Sequence, residues 1–284
     1  MTFAIVDSHI HFWNPNQLQY DWLAAIPAIN RPFLPTDLLY QAARKNIEKI
    51  VFVQCDCIAD QSLQEVGWVS ALAGDEPRIQ GLVAFAPLEQ GDAARSYLQQ
   101  LARYPLVKGV RRLIQSEGPG FCLRPEFVAG VQLLPEFGFS FDICVFHHQL
   151  ADVLRLVEQC PQVSFVLDHS GKPAIKDRRL DPWREHISAL AAFPNVYCKI
   201  SGLVTEADAA HWTPADLQPY IDHVLAAFGP HRVMYGGDWP VSLLATSYQN
   251  WIDTLAAATV GLSPDQKHGL FYANAQSFYR LPRH

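Results

Sequence analysis

Residues 3–11 read FAIVDSHIH, and the change of polarity inside this stretch decides how the rest of the chain is read. Residues 3–6 form a short apolar run, the pattern of a buried parallel strand. A doubly wound nucleotide-binding sheet would follow its first strand with a glycine-rich turn. Here the strand runs instead into Asp7-Ser8-His9-Ile10-His11. His9 and His11 are two apart on an extended segment, so their imidazoles face the same side. Two neutral imidazoles on one face can chelate a divalent ion such as zinc.

Working outward, short apolar runs recur at residues 49–54, 79–85, 107–113, 140–145, 163–167, 196–200 and 233–235. Helix signals lie between them. Thr36 or Asp37 can cap LLYQAARKN, Ser62 can start LQEVGWVSALA, and Asp92 precedes AARSYLQQLAR. Residues 125–137, 150–160, 182–192, 214–228, 248–257 and 264–279 also fit helices. Strands alternating with helices in this number predict a (β/α)8 TIM barrel, a single domain spanning residues 1–284. An open doubly wound sheet is the alternative.

Composition limits the function classes. Hydrophobic residues make up 49% of the 284 and charged ones 18%, enough apolar side chain for a large core. A net charge of −6 with no basic stripe argues against nucleic acid as a partner. No apolar stretch approaches the roughly 18 residues of a membrane span. MTFAIVDSHIHF lacks the basic start of a secretion signal. The six cysteines are scattered without a C-x-x-C pair and suit buried reduced thiols, so a cytoplasmic location is expected. The surface composition suits a monomer or a homodimer equally well.

Barrel enzymes carry their chemistry where strands end. The second such point is His147-His148-Gln149 after strand five, where only one histidine can face the barrel mouth. Strand six ends in Asp168-His169-Ser170-Gly171-Lys172-Pro173, and strand eight in Gly236-Gly237-Asp238-Trp239-Pro240. Singly, each histidine could be a scaffold residue and Asp238 a turn cap. Together they suit water activation, with a carboxylate as base and a cation or imidazole polarising a carbonyl.

The segments DSHIHFWNP, FVQCD, VKGVRRLIQSE, HHQL, VLDHSGKP, NVYCKISGL, YGGDWP and NAQSFYRL, with Tyr20-Asp21-Trp22-Leu23, span the chain. On them the sequence resembles the amidohydrolase superfamily, and within it the sugar-lactonase branch that includes L-fuconolactonases and L-rhamnono-lactonases. The 2-pyrone-4,6-dicarboxylate lactonases are a more distant likeness. The resemblance implies a catalytic centre of His9, His11, His169 and Asp238, with Asp238 as general base. It implies Arg111, His148, Lys199, Trp239 and Trp22 as substrate-side residues. Arg112 competes with Arg111, because adjacent strand residues point to opposite faces. Lys199 could instead serve an ion pair within the barrel, and Trp13, Tyr20 and Trp22 could line the mouth or merely pack the first loop.

The same resemblance implies one divalent metal, zinc or manganese, on His9, His11 and Asp238, and leaves open whether catalysis requires it. Lys108 lies near the start of strand four rather than its end, which disfavours a lysine-bridged two-metal centre. The expected reaction is hydrolysis of an L-fucono-lactone-like aldonolactone, a small-molecule substrate, to the aldonic acid. The rivals are a pyrone-dicarboxylate lactonase, an aromatic-acid decarboxylase of the same superfamily, and a barrel that only binds sugar acids.

Overall fold

The structure, a computed structural model, describes residues 3–283. Eight strands, β1 (Ala4–Ile10), β2 (Asn46–Val53), β3 (Ile79–Ala84), β4 (Val107–Val110), β5 (Ser140–Ile143), β6 (Phe165–Leu167), β7 (Val196–Ile200) and β8 (Val233–Tyr235), pair in sequence order. All seven pairings are parallel. The two edges meet through a parallel bridge between Ile10 and Trp239, and the sheet curls into a nearly closed (β/α)8 barrel. Two backbone hydrogen bonds make that seam: Asp238 N–H to the His9 carbonyl and His11 N–H to the Trp239 carbonyl, each 2.8 Å.

β1 continues four residues past its predicted end, because the polar residues after Val6 find partners inside the barrel. Asp7 Oδ1 accepts the amides of His9 (3.0 Å) and Gly237 (2.8 Å), and Oδ2 accepts the Tyr248 hydroxyl at 2.7 Å. Ser8 donates to the Tyr235 carbonyl at 2.6 Å. A Cβ on Gly237 would lie 2.3 Å from Asp7 Oδ2, so only glycine lets β1 and β8 approach this closely. The β1–β2 register shifts between Asp7 and Ile10, an irregularity of the kind that re-aims side chains beside active sites.

The helices fall where expected, with shifts at their ends. Pro35–Gln41 begins ahead of both proposed caps; Asp37 instead accepts the Leu34 amide at 2.8 Å from the third position. Pro135 has no N–H to continue a helix, and the 125–137 segment is a helix over Pro125–Gln132 followed by a 3-10 turn, Leu134–Phe137. The 264–279 segment divides into Pro264–His268, a π turn over Gly269–Ala273 and Asn274–Phe278.

That last segment plugs the barrel. Ala275, Phe278, Tyr279 and Leu281 form one apolar cluster with the strand residues Val6, Val51, Val53, Val83, Val166 and Met234. Arg280 donates to the carbonyls of Lys108 (2.9 Å) and Gly138 (2.6 Å), which lie at the entries of β4 and β5. The plug therefore closes the end where the strands begin. The opposite end, where they finish, is left for the polar residues.

Candidate active site

His9 is the last but one residue of β1, and His11 follows that strand directly. Asp238 follows the two glycines after β8 in a left-handed backbone, φ 50°. After β6 four successive residues turn left-handed: His169 (53°), Ser170 (52°), Gly171 (69°) and Lys172 (47°). Each non-glycine among them costs about 1–2 kcal/mol in that conformation. Neighbours hold the run in place. Trp183 Nε1 donates to the Ser170 carbonyl (2.7 Å), Ser170 Oγ to the Lys199 carbonyl (3.1 Å), and Ser201 Oγ lies 2.9 Å from His169 Nδ1. Strain concentrated at one strand end is a mark of function.

These elements bring His9, His11, His169 and Asp238 together. Asp238 Oδ1 lies 3.5 Å from His11 Nε2 and 3.8 Å from His9 Nε2, while Oδ2 lies 4.0 Å from His169 Nδ1. All four side chains are almost fully buried. Burial disfavours the charged form of all three imidazoles, lowering His9 well below its usual value, His11 below it, and His169 to about 4. Burial opposes ionisation of Asp238, but the surrounding imidazoles outweigh it and its carboxyl stays below the usual range.

The donor set fits a divalent ion. One ligand atom from each of His9, His11 and Asp238 lies within 4.8 Å of the others, a two-imidazole, one-carboxylate set. His11 Nδ1 lies 2.7 Å from the Val53 carbonyl, which only accepts, so its proton sits there and Nε2 keeps its lone pair. His9 Nδ1 is 3.3 Å from both Asp168 Oδ1 and Lys199 Nζ, and these neighbours favour opposite tautomers. Only the tautomer with the proton toward Asp168 leaves Nε2 free for an ion.

Beneath the imidazoles lies a buried cluster of balanced charge. Lys199 Nζ is 2.6 Å from Asp142 Oδ2 and 2.9 Å from Asp168 Oδ1, and Asp168 Oδ2 is 3.3 Å from Arg111 Nη1. Tyr279, from the plug, donates to Asp142 Oδ2 at 2.6 Å. Burial alone would raise Asp168, yet Lys199, His9 and Arg111 hold it well below the usual carboxylate range. Two cations and two carboxylates thus carry the His9 ring from below.

Above the imidazoles opens a cleft of about 320 Å³, lined by His11, His169, Asp238 and Arg111 and flanked by Trp13 and Trp22. A larger hollow of about 950 Å³ beside Tyr40 and Gln249 is shallow and contains no histidine or carboxylate. Volume alone would point elsewhere, because the converging histidines and carboxylate line the smaller cleft.

Arg111 faces this cleft, and its Nη2 also donates to the Gln54 carbonyl at 2.5 Å. Arg112 points away, paired with Glu89 (3.0 Å) and Glu117 (2.6 Å). Trp22 lines the cleft and donates to the Cys55 carbonyl at 2.8 Å; Tyr20 lies behind, its hydroxyl 3.4 Å from Glu65. Three expectations of substrate contact do not fit their positions. His148 is exposed and stacks on Phe146, because the chain turns into a 3-10 segment at His147–Gln149 instead of continuing as strand. Trp239 is wholly buried against Phe12 and Phe33 behind the seam. Lys199 is wholly buried below His9, in the ion pair weighed as its alternative.

Sequence reasoning passed over Asp168, Ser201 and Gly202. A Cβ on Gly202 (φ 61°) would sit 2.5 Å from His169 Nδ1 and 2.9 Å from Asp238 Oδ2. The only signal for them was their adjacency to His169 and Lys199 within the same motifs.

The amidohydrolase family matches residues 6–281, nearly the whole of the barrel and its site. The chain belongs to the amidohydrolase family. As an amidohydrolase it is a hydrolytic enzyme. It is 33% identical to the L-fucono-1,5-lactonase of Burkholderia multivorans (strain ATCC 17616 / 249), over 98% of this chain and 96% of that protein. It is 23% identical to the L-rhamnono-gamma-lactonase of Scheffersomyces stipitis, over 98% and 99% of the two chains. A crystal structure of a Burkholderia multivorans amidohydrolase with bound Zn has a TM-score of 0.89 and 32% identity, covering 99% of this chain and 100% of that one.

Proposed function

We propose that this amidohydrolase opens a sugar-derived lactone by attack of water, giving the open-chain aldonic acid. The observation that carries the reading is Asp238, a buried carboxylate facing three buried imidazoles on the floor of a cleft. The relatives named as sugar lactonases support the substrate class, an L-fucono-lactone-like aldonolactone. The 320 Å³ cleft suits a single small sugar ring.

Asp238 takes a proton from water as the water oxygen adds to the lactone carbonyl carbon. Negative charge moves to the carbonyl oxygen, which Arg111 is placed to stabilise. The bond to the ring oxygen then breaks, and that oxygen leaves as an alcohol with the proton returned by Asp238 or by His169. At neutral pH the acid ionises and releases a proton. His9, His11 and Asp238 are the residues that would hold a divalent ion, which when bound polarises an oxygen against them. Trp22 offers an apolar face at the mouth, with the buried Trp13 packed edge-on behind it.

The test is a pH-indicator assay of the purified enzyme against a panel of aldono-1,4- and 1,5-lactones, with and without a chelator. Acid release by the wild type, lost by at least about a hundredfold in Asp238→Asn, is the expected result. Silence across the panel from a folded protein would overturn the reading.

A further inference from the structure

The left-handed run that sets His169 also carries Lys172 into the cleft wall, four residues beyond the end of β6. The Lys172 amide donates to the His169 carbonyl at 2.9 Å, so the two residues are positioned as one unit. Its ammonium donates to Gln115 Oε1 at 2.5 Å and lies 5.1 Å from the Phe146 ring centre. Among the described residues no carboxylate approaches it within ion-pair distance. An ammonium has three donors, and the described residues engage one.

Gln115 lines the same cleft. Its carboxamide oxygen receives both Lys172 and the Cys144 thiol (3.4 Å), which fixes the amide orientation. Its Nε2 has no protein partner among the described residues. The other cations near the site are already paired, Arg111 with Asp168 and Lys199 with Asp142 and Asp168. At this edge of the cleft two donors of the Lys172 ammonium and the Gln115 Nε2 group meet no acceptor among the described residues. Such an edge matches acceptor oxygens, and on the neutral lactone of the proposed function those are hydroxyls.

Resting on the lactonase reading above, we infer that Lys172, held by Gln115, is a specificity-determining residue that grips the hydroxylated edge of a neutral sugar lactone. It acts in binding and takes no part in proton transfer.

The experiment pairs kinetics on the best aldonolactone with equilibrium binding of the matching neutral aldonolactam, followed by tryptophan fluorescence from the cleft. Lys172→Asn removes the ammonium while keeping a residue that tolerates the left-handed backbone, and Gln115→Ala releases its anchor. In both variants KM and the lactam Kd should rise about tenfold or more, with kcat within about threefold, the pattern of lost uniform binding. Lys172→Arg should recover part of the loss. A fall in kcat at unchanged KM would overturn the inference, as would unchanged lactam binding in both folded variants. The lactam arm needs no turnover. Lactam binding that depends on Lys172 in a protein that hydrolyses nothing would therefore sink the lactonase reading alone, and a wild type that binds no lactam would sink this inference.

Discussion

Lys199 Nζ lies 2.6 Å from Asp142 Oδ2, with both side chains wholly buried at the centre of the barrel. The pair links the C-terminal plug, through Tyr279 on Asp142, to the imidazole floor, through Asp168 on His9. A buried ion pair contributes little net stability over an apolar filling, but losing one partner strands the other.

Lys199→Met should therefore destabilise the protein by about 3–5 kcal/mol, since Asp142 and Asp168 lose their shared cation. Combining it with Asp142→Asn should return part of that loss. Urea denaturation of the single and double variants measures both; an undisturbed single variant would show that the pair carries no structural weight.

Gly202→Ala should cost at least about a hundredfold in kcat, because the new methyl enters the gap between His169 and Asp238. Gly229→Ala makes the comparison fair. Gly229 is also left-handed, φ 70°, but has open space around it, so that variant should lose about 1 kcal/mol of stability and retain turnover. Equal kinetic losses in the two would remove the steric argument.

Glu65 sets a pH dependence of stability. Its buried carboxyl is raised to about 8 by burial, although the Cys55 amide and the Tyr20 hydroxyl oppose this. The folded state thus holds a proton that the unfolded chain releases near the ordinary glutamate value of 4.5. The stability it contributes is full below about pH 4.5 and is lost as pH rises toward 8. Glu65→Gln, which cannot ionise, should flatten the slope of stability against pH in that window. Melting curves from pH 5 to 8 decide it, and parallel slopes for the two proteins would assign the dependence elsewhere.

Metal content is the fourth test. Equilibrium dialysis against zinc should load one ion per chain, and His11→Ala should weaken that binding by at least about tenfold while leaving the fold intact. Zinc binding indifferent to His11 would exclude this donor set.

Several features were legible in the chain. The barrel could be read from near-continuous apolar runs because parallel strands covered on both faces need no polar residue until they end. Where polarity returned, at His9, His11, His169 and Asp238, the side chains do converge. Strand ends and helix breaks were less legible. β1 ran on through Asp7 because that carboxylate is satisfied by Gly237 and Tyr248, over two hundred residues away in sequence. The arginine choice was open for a similar reason: alternation says that one of Arg111 and Arg112 points inward, but the strand's phase is set by its neighbours.

The sequence by itself determined the barrel, the family and the strand ends that carry histidine and aspartate, because periodicity and motif spacing are local properties of the chain. The tertiary structure decided which of those side chains reach the cleft. It turned His148 to solvent, sealed Trp239 behind the seam and sank Lys199 beneath His9. Each of these placements depends on a partner brought in by another strand or loop, such as Phe146, Phe33 or Asp142. A side chain's destination is set by the contacts that satisfy its charge or bury its ring, and those contacts exist only once the barrel has closed.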